Sequence, residues 1–294
     1  MSLKRYRRFV DSHAPGVGRL YRLMREHLAA HKTRDTIYGF SIAGDSLQAE
    51  PDWEVEQTKV FLERLPGHDI VIDIGANIGF YSCLAAIHGK HVLSFEPSPR
   101  NLRYLTQNLW ANRCKQIEVF PMGLGSQCGL NQIYGFGGIA SFVEGWGQSD
   151  SRRAELVAVT TLDTILAGRF PNERILVKMD VEGFELEVLK GASQTLRRDP
   201  KPTWLVEIML ADGVIPDGRN PAFAETFECF WSAGYECRML DGSFELVTPS
   251  TIAQWVSTKS QIGNHNYLFQ SASCDPLCDG ESHLQGNMSL TMQP

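Results

Sequence analysis

The stretch that most constrains the fold runs from Asp69 to Ser82. A short β-branched run, Ile70, Val71, Ile72 and Ile74, meets Gly75 and Gly79 and passes straight into Tyr81, Leu84, Ala85 and Ile87 at helical spacing. A continuous apolar run of this kind reads as a strand buried on both faces of a parallel sheet. Strand, glycine turn and helix together make the first unit of a nucleotide-binding α/β fold, where glycines admit a ligand and the helix start offers N–H groups. The spacing narrows the ligand class. A dinucleotide turn needs G-x-G-x-x-G, with its middle glycine against the pyrophosphate, whereas this chain has Gly75-Ala-Asn-Ile-Gly79 with Asp73 just before it. A carboxylate there would repel a pyrophosphate and would suit the ammonium end of S-adenosylmethionine.

Composition sets the outer bounds. The chain of 294 residues is long enough for one large α/β domain with extensions, and its 43% hydrophobic and 21% charged content is that of a globular protein. No apolar run approaches the ~20 residues that span a bilayer, and the N-terminus lacks an apolar signal core, so the expected location is the cytoplasm. Seven cysteines in such a chain are expected to stay reduced. Charge is uneven. Residues 1–32 hold eight Lys or Arg against Asp11 and Glu26, a net +6, which leaves −12 on the remainder. An acidic body argues against nucleic-acid binding. The basic arm, patterned as a helix by Val17, Leu20, Tyr21, Met24 and Leu28, is expected to pack on its own domain or on a second copy in a homodimer; peripheral contact with an anionic surface is the alternative.

Along the chain, residues 36–42 alternate like a strand and residues 54–65 read as a helix closed by Pro66-Gly67. A second strand ends in Glu96, 21 residues after Gly75, where the fold places an acid on ribose hydroxyls. The helix after Pro97-Ser-Pro99 is expected to bury Leu102, Leu105, Leu109 and Trp110. A strand at 117–120 leads to Met122-Gly-Leu-Gly-Ser126, whose Gly123 could lie over a flat adenine. Residues 127–150, glycine-rich and carrying Tyr134, Phe136, Phe142 and Trp146, form either a cover over a binding site or a surface hairpin. Residues 156–160 are strand-like, and Thr161 or Asp163 caps the helix that follows. Residues 175–180 form a strand ending in Lys178 and Asp180, followed by Val181-Glu182-Gly183. Further strands end near Glu207, span 235–240 before the turn Asp241-Gly242, and finish at 264–269. After residue 270 the composition predicts a disordered tail; Cys274, Cys278 and His283 there are too loosely spaced for a ligand set, and no metal is expected.

Four apolar strands therefore end in an acid: Asp73, Glu96, Asp180 and Glu207. In a parallel sheet these ends share one edge, where ligands bind. Four carboxylates at one edge repel unless hydroxyls, a sulfonium or ammonium group, or Lys178 offset them.

The ordered set Asp73-Ile-Gly-Ala-Asn-Ile-Gly79, Phe95-Glu-Pro97, Thr161-Leu-Asp163, Lys178-Met-Asp-Val-Glu-Gly183 with Glu185, Leu189-Lys-Gly-Ala192 and Val206-Glu-Ile208 resembles the FkbM-type methyltransferases across about residues 54–269. The resemblance implies a Rossmann-like class I fold: a mostly parallel seven-stranded sheet with an antiparallel last strand and helices on both faces. It also implies an S-adenosylmethionine-dependent O-methyltransferase domain at 33–270, flanked by the arm and the tail. Acceptors in that family include sugars, glycans or glycolipids, and polyketides. On this reading Asp73, Gly75, Asn77 and Gly79 hold the methionine end and Glu96 the ribose. Asp180 is the first candidate base for the acceptor hydroxyl, with Glu182, Glu207 and His265 as alternatives. Lys178 pairs with a carboxylate in either a structural or a catalytic role. The rival readings are a nicotinamide oxidoreductase and a non-catalytic S-adenosylmethionine-binding protein.

Overall fold

Alternation along the apolar strands sets the architecture, because neighbouring side chains of a strand leave on opposite faces. The computed structural model describes residues 33–272 other than 45, 136, 149–153, 211–214, 216 and 217; the basic arm and the tail lie outside the described residues. The chain begins with the two-residue strands β1 (Arg34–Asp35) and β2 (Ser41–Ile42), then α1 (Val55–Arg64), β3 (Ile70–Ile74), α2 (Phe80–Ile87) and β4 (His91–Phe95). Next come α3 (Pro99–Ala111), β5 (Ile117–Phe120), β6 (Gly123–Leu124), β7 (Gly129–Ile133), β8 (Glu155–Thr160) and α4 (Leu162–Leu166). The last part holds β9 (Ile175–Met179), α5 (Glu185–Lys190), β10 (Thr203–Glu207), α6 (Phe223–Ser232), β11 (Tyr235–Met239), β12 (Leu246–Val247), α7 (Pro249–Thr258) and β13 (Asn266–Ser271).

The central sheet has the order β12-β11-β13-β10-β9-β3-β4-β5, with β13 antiparallel to both β10 and β11. The core pairs β10–β9, β9–β3, β3–β4 and β4–β5 are parallel. This is the expected Rossmann-like sheet plus one short edge strand. β12 arises because Gly242, at φ 86°, turns the chain back after Asp241, and Met239 N–H donates to the Glu245 carbonyl at 3.0 Å. β6, β7 and β8 form a separate three-stranded sheet.

Ile70, Ile72 and Ile74 face one core with Val177, Met179, Trp204, Phe227 and Phe230. Val71 faces the other with Val60, Phe61, Leu84, Leu105, Leu176 and Leu268. Each fully buried side chain of this size contributes about 1.5–3 kcal/mol, so two packed faces fix the strand register and hence which residues end at the sheet edge.

Two local expectations are corrected. Residues 36–42 do not form one strand: Gly39 (φ 86°) and the bonds from Thr36 N and Oγ1 to the Phe40 carbonyl, both 2.8 Å, make a turn between β1 and β2. Trp110 is 84% exposed rather than on the inner face of α3. Leu102, Leu105 and Leu109 keep the three-and-four spacing of one helix face, and Trp110 lies one further residue, about 100°, round the helix. Thr161 caps α4 by accepting from Thr164 N at 3.0 Å, while Asp163 instead caps the 193–195 turn through Gln194 N (2.9 Å) and Thr195 N (2.8 Å). Among the described residues no helix is long and apolar enough to cross a membrane.

Candidate active site

The parallel strands β3, β4 and β9 end together, and the cleft at that edge is walled by Gly75, Asn77, Glu96, Gly123, Asp180 and Glu182 among others. The turn after β3 is built around a close crossing. Gly75 sits at φ 80°, and a Cβ there would lie 1.9 Å from the Asp180 carbonyl oxygen. Asp180 N–H in turn donates to the Ile74 carbonyl at 3.0 Å, so the two loops lock together. Only glycine serves at such a position.

Glu96 is 4% exposed. Its Oε2 accepts from Asn77 N at 2.8 Å and its Oε1 from Ser98 N at 2.7 Å. Burial pushes its carboxyl up to about 7, against the pull of those two donors. Asn77, in the left-handed region at φ 51°, turns its N–H toward Glu96 and leaves its buried side-chain oxygen without a partner. The Asn101 side-chain oxygen, also at the cleft, is buried and unpartnered too. Such acceptors are costly unless a ligand donor meets them.

Asp73 and Gly79 stand behind the cleft wall rather than in it. Asp73 shares the face of Val71, under α2, where it is 2% exposed and accepts from Ser82 Oγ at 2.5 Å. Burial raises it to about 6. Gly79 starts α2 at φ 91°, and a Cβ there would strike Leu105 Cδ1 at 2.5 Å, so its role is close packing of α2 on α3.

Beyond the ends of β9 and β10, Asp180, Glu207 and Glu54 each turn a carboxylate oxygen to a common point, all within 4.8 Å of one another. Lys178, 2% exposed, ends 3.9 Å from Asp180 Oδ2 and lies over the Tyr81 ring, 5.4 Å from its centroid. Burial opposes its charge, but Asp180, Glu54, Glu207 and Asp73 outweigh it and hold the ammonium above its ordinary value. Burial raises Glu207 well above the carboxylate range, and it raises Glu54 too, although Tyr81 O–H donates to Glu54 Oε2 at 2.6 Å. Glu182 lies at φ 53° and accepts from Trp146 Nε1 at 2.6 Å; burial, then the charge of Asp180, takes it up to about 8. His265 gives its backbone carbonyl to Ile208 N–H at 2.7 Å, and it does not line the cleft.

Described residues of the 127–150 stretch lie against this cleft. Gly137, Gly138, Ser141 and Phe142 line it, Ser141 Oγ donates to the Glu182 carbonyl at 2.6 Å, and Asn101 Nδ2 donates to the Gly137 carbonyl at 3.1 Å. Trp146 packs so closely that a Cβ on Gly183 would come within 2.3 Å of its ring.

Sequence reasoning missed Glu54 and Tyr81. Glu54 precedes a helix and ends no strand, and Tyr81 reads as one apolar residue of a helical stripe, so neither carries a local signal.

Comparison with known proteins adds three findings. The model of the methyltransferase FkbM domain matches residues 73–237, more than half of the chain. Among the curated proteins that align with the chain are two methyltransferases. One is the hexuronic acid methyltransferase AglP of Haloferax volcanii, at 29% identity over 145 residues, 49% of this chain and 58% of the relative. The other is the methyltransferase sdnD of Sordaria araneosa, at 30% identity over 165 residues, 45% of this chain and 64% of the relative. The chain thus spans about three-fifths of the length of each. Among solved structures, precorrin-6y C5,15-methyltransferase of Geobacter metallireducens superposes with a TM-score of 0.38 at 12% identity, over 77% of this chain and 89% of that one.

Proposed function

The chain belongs to the FkbM methyltransferase family, and on that premise we propose that it moves a methyl group from S-adenosylmethionine to a hydroxyl of a sugar, glycan, glycolipid or polyketide-like acceptor. The observation that carries the reading is the joining of Glu96 and Asp180 in one cleft at the carboxyl edge of the sheet. Glu96 faces the ribose position, and the unpartnered amide oxygens of Asn77 and Asn101 are acceptors for the donors of that cofactor. The Gly75 turn lets backbone approach it closely, and Gly123 lines the same cleft. When bound, S-adenosylmethionine supplies an electrophilic methyl on a sulfonium, for in-line displacement by the hydroxyl oxygen.

The remaining work falls to this chain's own residues. They align the acceptor, exclude water and take a proton. A base must be ionised to accept that proton. Burial takes Glu182 up to about 8 and pushes Glu207 well above the carboxylate range, which suits neither to taking a proton near neutrality, whereas Asp180 lines the cleft with Glu96 and has the Lys178 ammonium 3.9 Å from its Oδ2. Asp180 is therefore the base and Lys178 its positioning partner. The hexuronic acid acceptor named for the Haloferax relative supports the sugar end of the acceptor range.

The test is incubation with methyl-labelled S-adenosylmethionine and fractionated cell extract. Label is expected in a carbohydrate or hydroxylated small-molecule fraction, and Asp180→Asn should lose transfer while keeping cofactor affinity. Full turnover in that variant refutes the base. Cofactor binding with no label in any fraction means a binding protein, and thermal stabilisation by NAD but not by S-adenosylmethionine means an oxidoreductase.

A further inference from the structure

Two further acids meet the proposed base, Asp180, and the ammonium nearest to the three makes a hydrogen bond to none of them. Glu54 comes from the residue before α1, Asp180 from the end of β9 and Glu207 from the end of β10, and one oxygen of each lies within 4.8 Å of the other two. If Lys178 were the cation they gather around, its Nζ would sit at hydrogen-bond distance from them. It stops 3.9 Å from Asp180 Oδ2, is 2% exposed, and has no hydrogen-bond partner. A buried ammonium held back in this way points to an oxygen that belongs to a ligand.

We propose that Glu54, Asp180 and Glu207 hold one hard divalent cation of the Mg2+ class, and that Lys178 donates to an oxygen carried by that cation. The donor set is all oxygen, with neither His nor Cys, which selects Mg2+, Mn2+ or Ca2+ over zinc or copper. The span fits a single ion, since opposite ligands stand about 4.2 Å apart around Mg2+ and about 4.8 Å apart around Ca2+. The cluster is only partly buried, so an ion can enter. Tyr81 O–H holds Glu54 in place, and Glu54 keeps a left-handed backbone (φ 44°, ψ 43°) while doing so. No ligand pattern in the sequence announces the site, because its acids come from three separate segments. The role of the cation rests on the proposed methyl transfer: it would fix the acceptor hydroxyl beside Asp180, one of whose oxygens remains available for the hydroxyl proton.

Binding is read with the cation alone, on the full chain, without cofactor or acceptor. Tb3+ luminescence, excited through Tyr81 and the neighbouring Trp53 (ring centroids 6.2 Å apart), reports occupancy, and Mg2+ or Ca2+ should displace it. Mn2+ titration by electron paramagnetic resonance gives the affinity, expected at about 1 mM or tighter. Glu54→Gln and Glu207→Gln should each weaken binding by about tenfold or more, while Glu50→Gln, whose acid pairs with Arg34 at the surface, should leave it unchanged. If circular dichroism shows that a Gln variant is unfolded, Tyr81→Phe removes only the hydroxyl that holds Glu54 and should still weaken binding. Absence of saturable Mn2+ binding to the wild-type chain overturns the proposal, as does equal affinity in all the variants of Glu54, Glu207 and Tyr81. Calorimetry with S-adenosylhomocysteine separates the two readings: a chain that binds the cation and not this ligand sinks the proposed function and keeps the site.

Discussion

Replacing Glu96 with glutamine gives a pH-dependent change whose size follows from the geometry. The carboxyl is 4% exposed and burial raises it from 4.5 to about 7. Between those two values the folded chain keeps a proton that the unfolded chain has released. Stability from this group is therefore fully present below about pH 4.5, falls as pH rises, and is gone above about 7. A gap of about 2.5 pH units corresponds to about 3 kcal/mol, or roughly 6–12 °C in Tm for a domain of this size. Asp73, Glu182, Glu185 and Glu207 are raised as well, so the wild-type slope contains more than Glu96. The informative quantity is the difference between wild type and Glu96→Gln, because glutamine does not titrate. A second cost is independent of pH. Both carboxylate oxygens accept backbone N–H groups, from Asn77 and Ser98, and the glutamine NH2 must face one of them, at about 1–3 kcal/mol. A protonated carboxyl avoids this clash, since its hydroxyl oxygen still accepts. Thermal unfolding without ligand should show the wild type's standing against the variant fall by about 2.5 kcal/mol from pH 5 to pH 8, so that any lead it holds at pH 5 vanishes or reverses. A gap that stays constant between these pH values refutes the buried-acid argument. The same variant should bind S-adenosylhomocysteine about tenfold more weakly, or worse, by calorimetry, as loss of a charge-assisted bond requires.

Gly75→Ala should cost about 3 kcal/mol or more in urea unfolding, because the new Cβ meets the Asp180 carbonyl at 1.9 Å in a left-handed backbone; a loss below about 1 kcal/mol would mean the two loops are not locked. Trp146→Phe keeps a ring against Gly183 but deletes the donor to Glu182, and should cost about 1–3 kcal/mol by the same assay. Trp110→Ala, at an 84% exposed position, should stay within about 0.5 kcal/mol of wild type, and a larger loss would put Trp110 in an interface.

Much of the fold is legible in the sequence because it depends on local period and turn chemistry. Ile70, Val71, Ile72 and Ile74 can only be a buried strand, Gly75 and Gly79 mark the turn, and one right-handed crossover must bring Glu96 to the neighbouring strand end. Face is harder to read than position. Asp73 and Glu96 both look like strand-end acids, yet Asp73 follows Val71 by two and so points under α2 into the core, while Glu96 lies past the end of β4 and turns into the cleft. Trp110 fails for the same reason on a helix, where one step of sequence separates buried Leu109 from the exposed face.

The two halves of the site differ in what builds them, and that difference decides what a sequence can reveal. The half around Glu96 is made largely of backbone: N–H groups of Asn77 and Ser98, the Gly75 crossing, and glycines of the neighbouring loops. Backbone geometry of this kind demands particular residue types at fixed spacing, so it leaves a written trace. The half around Asp180 is made of side chains that converge from afar. Glu54 arrives 126 positions before Asp180 only because Val60 and Phe61 pack α1 on the sheet face that also carries Val71 and Leu176. Its orientation then depends on one hydroxyl, Tyr81, contributed by α2. No local rule requires glutamate at 54, since glycine or asparagine would take its left-handed backbone with less strain. The choice makes physical sense only once Lys178, Asp180 and Glu207 are placed around it, and placing them requires the packed fold.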